Sequence, residues 1–305
     1  MKTIEKHPML MVVVGILGIS LSAIFVRYSD APSAVTAAFR MLWTVLLMTP
    51  VVFGKADVRR ELFSVSRRVL LLSAASGIFL AAHFVLWFES LQHTSVASST
   101  TIVCTEVIWV SLGFFLFQDG RLARRELLAI AVTLTGSVLI ACADSGSGAQ
   151  LYGDILAWLA AMATAVYTLI GRTVRRGVST TVYTYIVYCS CAAVLLVTCL
   201  LQGHSLLAGG SAVVVGLLLA VLSTILGHSI FSWCLKYFSP AFVSASKLCE
   251  PVVAALFAML LFGEMPVWLQ LAGGALILGG VFYYSRLQST AAKAGAAAPT
   301  ETKQP

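Results

Sequence analysis

The sequence has few charged residues, and this scarcity excludes a water-soluble fold. Charged side chains make up 11% of the 305 residues and hydrophobic ones 59%. Soluble domains average about 25% charged and about 45–50% apolar residues. Too little polar surface remains to keep such a chain in water. The composition therefore predicts a protein embedded in a lipid bilayer.

Motifs for catalysis, nucleotide binding and metal binding are also missing. The sequence contains no Walker A motif, no HExxH motif and no GxSxG motif, so neither an enzyme nor an ATP-driven pump is expected. The seven cysteines form no CxxC pair and no Cys/His spacing suited to a metal, and all lie inside apolar runs. We interpret them as reduced thiols and expect no metal and no cofactor.

Long apolar runs dominate the chain, and their length predicts membrane-spanning helices. A helix needs about 20 mostly apolar residues to cross the hydrocarbon layer. Runs of this length exclude the strands of a membrane barrel. The first run lacks a small-residue cleavage site after it, so we expect it to be retained rather than removed as a signal peptide. The ten predicted segments are 9–26, 34–53, 69–91, 95–117, 127–143, 152–171, 182–202, 212–235, 241–262 and 267–285.

The positive charges are distributed unevenly among the predicted loops. With a cytoplasmic N-terminus, 17 of the 20 Lys and Arg residues lie on the cytoplasmic side, and only Arg27 lies in an outer loop. This asymmetry predicts an even number of spans with both termini in the cytoplasm. The net charge of +7 comes from these short loops, so nucleic-acid binding is not expected. Of the Lys and Arg residues, only Arg40 and Lys247 lie within predicted membrane-spanning segments.

The chain contains a weak internal repeat. An offset of 144 residues aligns Glu106 with Glu250, and one further residue of slippage aligns His83 with His228. Because each copy has five helices, an odd number, the second copy has to be inverted. Inverted repeats are typical of secondary transporters, whose substrate site lies near the membrane midplane between the repeats. We predict an all-α integral membrane protein of ten transmembrane helices, with inverted five-helix repeats at 1–145 and 151–288 and a disordered cytoplasmic tail at 289–305.

Two acidic residues at equivalent repeat positions, Glu106 and Glu250, are candidates for substrate binding or coupling. A charge at mid-membrane costs about 2.5–3.5 kcal/mol, so it normally faces the bundle interior or a cavity. Pro251 interrupts the helix beside Glu250, which favours a binding role. The alternative is a salt bridge from Glu250 to Lys247, one turn earlier. Glu106 is expected to bind a cation, carry a proton or hydrogen-bond a neighbouring helix.

Histidine and tryptophan residues form a second candidate group. His83 and Trp87 are four residues apart and share a helix face, and His228 and Trp233 are arranged similarly on the eighth segment. The histidines are candidates for the substrate site, with hydrogen-bonded core histidines as the alternative. The tryptophans either line an aromatic box for an organic cation or lie at the membrane interface.

Three further features complete the candidate set. Arg40 is expected to attract an anionic or zwitterionic group, or to pair with Glu89. Tyr167 either offers its hydroxyl to the site or packs, and packing is favoured. Small residues in the tenth segment, including Gly279 and Gly280, predict a close helix contact within the chain or in a homodimer.

The stretch from Leu248 to Glu264, with its Glu-Pro start and Gly-Glu end, resembles EamA-type transporters of the drug/metabolite transporter superfamily. Residues 270–281 are similar to the last helix of that family. The resemblance implies two inverted EamA repeats, cytoplasmic termini, a bacterial inner membrane and export of metabolites by alternating access. Val107 stands where the family has proline, so the fourth segment is expected to be less broken than the ninth. Weaker matches to the family are Pro32 followed by Arg40 in its second helix and Tyr167 followed by Arg172 in its sixth. Residues 83–87 and 94–97 are similar to one bacterial subgroup of the family.

The leading hypothesis is a secondary active transporter of a small organic metabolite, such as an amino acid or an amine, driven by protons or by exchange. Its expected partners are the small-molecule substrate, protons, the lipid bilayer and a second copy of the chain. The alternatives are a membrane-embedded lipid-modifying enzyme or flippase, and a passive channel. The transporter hypothesis predicts that the two acids and the two histidines converge at mid-membrane.

Overall fold

The computed structural model describes residues 7–94, 96–118, 122–143, 151–206, 210–262 and 267–297. Its elements are helices, and no β-strand occurs in these ranges. The predicted all-α membrane fold is confirmed. The first half contains α1 (Pro8–Ser20), α2 (Ser22–Arg27), α3 (Ser33–Gly54), α4 (Ala56–Ser64), α5 (Arg67–His93), α6 (Val96–Cys104), α7 (Glu106–Phe117) and α8 (Arg124–Ala143).

The second half divides its helices differently from the first. Its first helix is continuous where α1 and α2 are separate, a π-helical segment interrupts its third helix, and α4 has no counterpart among the described residues. The elements are α9 (Leu151–Val174), α10 (Thr180–Leu201), α11 (Gly210–Leu218), the π-helical segment (Leu219–His228), α12 (Ser229–Cys234), α13 (Pro240–Lys247), α14 (Glu250–Phe262) and α15 (Trp268–Ala297).

Each predicted segment is mostly helical where its residues are described, with short breaks in some segments. Among the described residues, seven helical stretches are long and apolar enough to cross a membrane, and a shorter apolar stretch occupies Leu271–Leu287. The total of ten crossings stays a prediction. The seven stretches are Pro8–Arg27, Ser33–Gly54, Arg67–His93, Ser99–Phe117, Leu151–Val174, Thr180–Leu201 and Gly210–Cys234.

The helices of the two halves exchange partners reciprocally. The long helix α5 of the first half packs along α9 and α10 of the second. In return, α11 and the π-helical segment pack along α3, and the π-helical segment packs along α1. The equivalent helices α3 and α10 contact each other, as do α8 and α15. Reciprocal contacts of this kind are expected for two copies of one fold related by a two-fold axis.

Equivalent helices run in opposite directions, as the contact between α8 and α15 demonstrates. A side chain at Gly136, late in α8, would meet the carbonyl of Gly273, early in α15. A side chain at Gly280, later in α15, would meet the carbonyl of Ala129, early in α8. The two helices are therefore antiparallel, and the second repeat is inverted relative to the first, as predicted.

Neither half has a hydrophobic core of its own. One buried cluster includes Phe84 of α5 and Tyr188 of α10, and the other includes Val107 of α7 and Phe242 of α13. Each cluster thus combines side chains from both repeats. Because lipid tails are as apolar as these side chains, close packing rather than exclusion from water has to hold the halves together.

The C-terminal end differs from the predicted disordered tail. Helix α15 continues to Ala297, beyond the predicted tail start at residue 289. The sequence there is rich in alanine, the residue with the highest helix propensity, which explains the continuation. Residues 298–305 of the predicted tail lie outside the described residues, as do residues 144–150 and 263–266 between predicted segments.

Replacing Gly280 by valine is expected to destabilise the contact between α8 and α15. An added Cβ would press on the Thr133 side chain and lie 3.1 Å from the carbonyl of Ala129, both buried in α8. Overpacking of this kind typically costs about 1–3 kcal/mol. Gly279 is the matched control, because a Cβ there meets nothing within 4 Å. The melting temperature in detergent should fall for Gly280→Val only, and an equal fall for Gly279→Val would contradict this packing.

Candidate functional site

Breaks in two equivalent helices bring the acidic residues to the centre of the molecule. Glu106 is the first residue of α7, after the interruption that ends α6. Glu250 is the first residue of α14, after the interruption that ends α13. A carboxylate at a helix N-terminus is stabilised by the helix dipole. Broken helices that present their ends at mid-membrane are typical of transporter binding sites.

The break before Glu106 forms without a proline. It spans one residue, Thr105, whereas the break before Glu250 spans two. The hydroxyl of Thr105 donates to the carbonyl of Ile102 at 2.6 Å, and this bond competes with regular helical hydrogen bonding. Val107 in place of proline therefore leaves the first break shorter, in the expected direction, but does not abolish it.

The π-helical segment ends at His228 and places this residue at the site. A π-helix has wider turns than an α-helix, and such segments frequently occur at functional sites. Within it, the hydroxyl of Thr224 donates to the carbonyl of Leu219 at 3.3 Å. The equivalent histidine, His83, lies on the regular helix α5. The two histidines thus reach the centre from helices that are wound differently.

A small polar cavity lies where these elements meet, between the two repeats. Its volume is about 40 Å³, which is room for roughly one water molecule of about 30 Å³. Its charged and histidine side chains are at most 9% exposed. The lining residues are Ile19, Ser22, His83, Trp87, Val103, Glu106, Thr164, His228, Lys247 and Glu250.

Lys247 forms a salt bridge with Glu106, not with Glu250. Its Nζ lies 2.8 Å from Oε1 of Glu106, and no salt bridge to Glu250 occurs within the described part of the chain. The alternative that paired Lys247 with Glu250 is therefore wrong. That pairing rule holds for a continuous helix, whereas α13 ends at Lys247 and α14 begins at Glu250. The observed bridge joins the two repeats.

Several polar groups around the cavity have no partner. Among the described residues, no donor forms a hydrogen bond with the Glu250 carboxylate. Trp87 Nε1 and His228 Nδ1, on two other lining residues, are buried and unpaired, as is Arg40 Nη2 nearby. Because buried polar groups are normally hydrogen-bonded, these atoms indicate a place for a ligand or for water.

Arg40 lies behind the cavity wall, fully buried. Its Nε donates to Oγ1 of Thr224 at 2.8 Å, and its Nη1 donates to the hydroxyl of Ser22 at 3.3 Å. The guanidinium carbon lies 4.1 Å from the centre of the Phe84 ring, a cation–π contact. Pairing with Glu89 is not observed in the described ranges. Since Ser22 lines the cavity, one side chain separates Arg40 from it.

The two histidines and Trp87 form one aromatic group. The rings of His83 and His228 are 6.3 Å apart, and Trp87 is stacked on His83 with centroids 5.9 Å apart. His83 Nδ1 donates to the carbonyl of Ala160 at 3.1 Å. A carbonyl oxygen can only accept, so this bond fixes the proton on Nδ1.

Two predicted residues lie away from the cavity. The hydroxyl of Tyr167 is bonded to the hydroxyl of Ser232 at 2.8 Å, so Tyr167 packs behind the site. Trp233 packs on Tyr237, with ring centroids 4.5 Å apart, and does not line the cavity. The cavity is lined by six of the nine predicted residues, namely Glu106, Glu250, His83, His228, Trp87 and Lys247, and their roles stay predictions.

A larger cavity of about 820 Å³ also borders α5. Val85, Leu86 and Glu89 line it, whereas His83 and Trp87 line the central cavity. The two cavities therefore lie on different faces of α5. In the predicted topology this larger cavity is on the outer side of the membrane.

Comparison with known proteins identifies the family. The model of the EamA-like transporter family matches residues 7–142 and 151–286, almost the whole chain, as two copies. This chain belongs to the EamA-like transporter family. The resemblance found in the sequence is confirmed, and the protein is a multi-pass membrane transporter of the EamA type.

Relatives of this EamA-like protein are named as transporters. The chain is 27% identical over 285 residues to the "Probable amino-acid metabolite efflux pump" of Salmonella typhimurium, covering 89% of this chain and 92% of that protein. It is 24% identical over 231 residues to the pseudopaline exporter CntI of Pseudomonas aeruginosa, covering 75% and 80%. A solved crystal structure, 18% identical, has a TM-score of 0.75 over 93% of this chain and 98% of that one, which shows the fold alone.

The sequence prediction for this EamA-like transporter missed four lining residues. Ser22 and Thr164 are small polar residues that carry no distinctive signal in an apolar run. By the offsets that align the acids and the histidines, Ser22 is the repeat equivalent of Tyr167, and Val103 is the equivalent of Lys247. Extending the repeat alignment to every candidate position would have found these two, whereas Ile19 and Thr164 correspond only to each other.

Proposed function

We propose that this chain is a secondary active transporter that moves a small organic metabolite, such as an amino acid, an amine or a related solute, by alternating access. The observation that carries the proposal is the buried, charged cavity between two inverted repeats. Carriers of this architecture bind substrate at the repeat interface and rock one repeat against the other. A cavity of about 40 Å³ is too small for such a solute, so the halves have to separate for loading and release.

The buried charges favour a solute with no net charge. Lys247 and Glu106 neutralise each other. Arg40 and Glu250 carry opposite formal charges, and neither has a salt-bridge partner within the described ranges. A zwitterion in this cavity keeps the site neutral, whereas a net charge in the membrane costs several kcal/mol. The efflux-pump relative, named for amino-acid metabolites, supports the same class of solute.

An imposed pH gradient is expected to change the rate of solute movement in proteoliposomes. The cavity places two carboxyl groups and two imidazoles together, and these groups can exchange protons as the halves rock. The measurement is the initial uptake of labelled L-leucine, L-lysine and L-glutamate with and without the gradient, at a clamped membrane potential. Empty liposomes are the control.

Three results discriminate among the mechanisms. An initial uptake rate that is unchanged by the pH gradient, but rises when vesicles are preloaded with unlabelled solute, indicates exchange instead of proton coupling. Flux without saturation indicates a channel. Scrambling of labelled lipid with neither uptake nor counterflow of amino acids or amines would overturn the transporter proposal in favour of a flippase.

The placement in the cell also belongs to this proposal. The loop charges support cytoplasmic termini, which reporter fusions at the C-terminus would test, and the bacterial relatives support an inner membrane. A homodimer through the surface near Gly279 stays a prediction; it is supported by the open space there, where an added Cβ meets no described residue within 4 Å.

A further inference from the structure

Eight of the ten residues that line the central cavity are related in pairs by the internal repeat. In three of these pairs, the two equivalent residues have the same formal charge. The fourth pair differs, because a valine in the first repeat corresponds to a lysine in the second, and both line the cavity. The pairs are Glu106 with Glu250, His83 with His228, Ile19 with Thr164, and Val103 with Lys247.

This single difference decides which acid has a partner. Lys247 lies one turn before the acid of its own repeat and crosses to bond the acid of the other, Glu106, at 2.8 Å. By the two-fold relationship, a cation at position 103 would cross in the same way to Glu250. Val103 carries no charge, so Glu250 lacks the ammonium partner that Glu106 has.

We propose that the ammonium group of the transported solute takes the place of this missing lysine, beside Val103 and against the Glu250 carboxylate. The inference rests on the proposed function, because it assigns a group of the solute to a position in the transport site. The contact between the Lys247 ammonium and the Glu106 carboxylate then corresponds to the contact between the solute ammonium and the Glu250 carboxylate. Val103 becomes a specificity-determining residue, since its lack of charge leaves room for an ammonium from outside.

The size and chemistry of the site fit this group. A volume of about 40 Å³ accommodates an ammonium with its first carbon, while the rest of the solute requires the halves to open. A buried carboxylate without a partner is unfavourable, and an ammonium compensates its charge. The unpaired Trp87 Nε1 is a donor on the same wall, suited to an acceptor elsewhere on the solute. The ligand class is therefore a solute with a primary ammonium group.

The substitution Val103→Lys tests the inference by supplying the missing ammonium from the chain. Detergent-purified protein is melted with 3-methylbutylammonium, L-leucine, 4-methylpentanoate or 3-methylbutanol, which have similar carbon skeletons. A ligand that binds only the folded protein raises its melting temperature. We expect the two ammonium compounds to stabilise the wild type, L-leucine more strongly, because its carboxylate keeps the site without net charge. Val103→Lys should weaken their binding by at least about tenfold, since a hydrogen bond to a charged group contributes roughly 1.5–3 kcal/mol.

A mirror variant keeps the test valid if the single substitution damages folding. Val103→Lys combined with Lys247→Val again has one lysine for two acids, but now Glu250 is paired and Glu106 is not. Ammonium binding should return in this variant and should be lost on further Glu106→Gln substitution. Val103→Met changes the packing without adding charge, so the order of preference among the four compounds should persist.

Each outcome has a defined meaning. Wild-type affinity for the ammonium compounds in Val103→Lys overturns the inference, as does a wild type that responds to none of them or equally to the alcohol. If wild-type vesicles transport solute and Val103→Lys leaves their selectivity unchanged, the inference fails while the proposed function stands. If Val103→Lys and the mirror variant bind the ammonium compounds as expected but wild-type vesicles move no solute, the proposed function fails and the ammonium site stands.

Discussion

Replacing Glu250 by glutamine is expected to reduce transport in proteoliposomes at least about tenfold while the protein still folds. The substitution keeps the size and shape of the side chain and removes its charge. Glu250 is buried, starts α14 and lies in the cavity with no hydrogen bond from the described residues. Losing the charge should remove a contribution of roughly 1.5–3 kcal/mol to solute binding, equivalent to about ten- to a hundredfold.

The measurement combines initial rates with a folding check. Uptake and counterflow of L-leucine are compared between variants reconstituted at equal density, and elution in gel filtration and the melting temperature report on folding. Asp57→Asn is the matched control, because Asp57 is an exposed acid in α4 outside the cavity. Wild-type rates in Glu250→Gln would contradict the assignment of the site.

The second large effect concerns stability: Lys247→Met is expected to lower the free energy of unfolding by about 3–5 kcal/mol. Removing one partner of a buried ion pair leaves an uncompensated charge, and this is the usual magnitude of the loss. Lys247 and Glu106 are 8% and 3% exposed, so water does not substitute for the lost partner. The bridge also connects the repeats, so its loss should loosen their contact.

A double-mutant cycle separates the ion pair from simple loss of packing. Lys247→Met together with Glu106→Gln leaves no unpaired charge at these positions, and most of the stability should return. Lys236→Met is the control, because Lys236 is exposed in the connection between α12 and α13 of the same half. A double variant whose loss equals the sum of the two single losses would show that the residues do not act as a pair.

Much of the architecture could be predicted from the sequence, because the bilayer imposes simple rules. Apolar runs of membrane-spanning length predict helices, and the acids Glu106 and Glu250 stand out because charges are costly in lipid. The repeat offset that aligns them also predicted the inverted second half. The helical runs and the repeats were confirmed, and with them the family. These signals lie in short or periodic stretches of the sequence, so they can be recognised without the tertiary structure.

The partners of the charged side chains could not be predicted from the sequence. Spacing suggested a salt bridge between Lys247 and Glu250 as one alternative, but the break between α13 and α14 separates them, and the actual partner, Glu106, is 141 residues away. The same limit applies to Arg40, which bonds Thr224 on the π-helical segment instead of Glu89.

By itself, the sequence determined that this protein is a helical membrane protein, built from two inverted repeats with buried acids at equivalent positions. The tertiary structure alone decided which acid is paired, that Trp233 packs away from the cavity, and that Val103 lines the cavity together with Glu250. The physical reason is that hydrophobicity, and the cost of placing a charge in the membrane, are properties of each segment of the chain by itself. Ion pairing depends on distances between side chains on different helices, which are set only when the two repeats pack together.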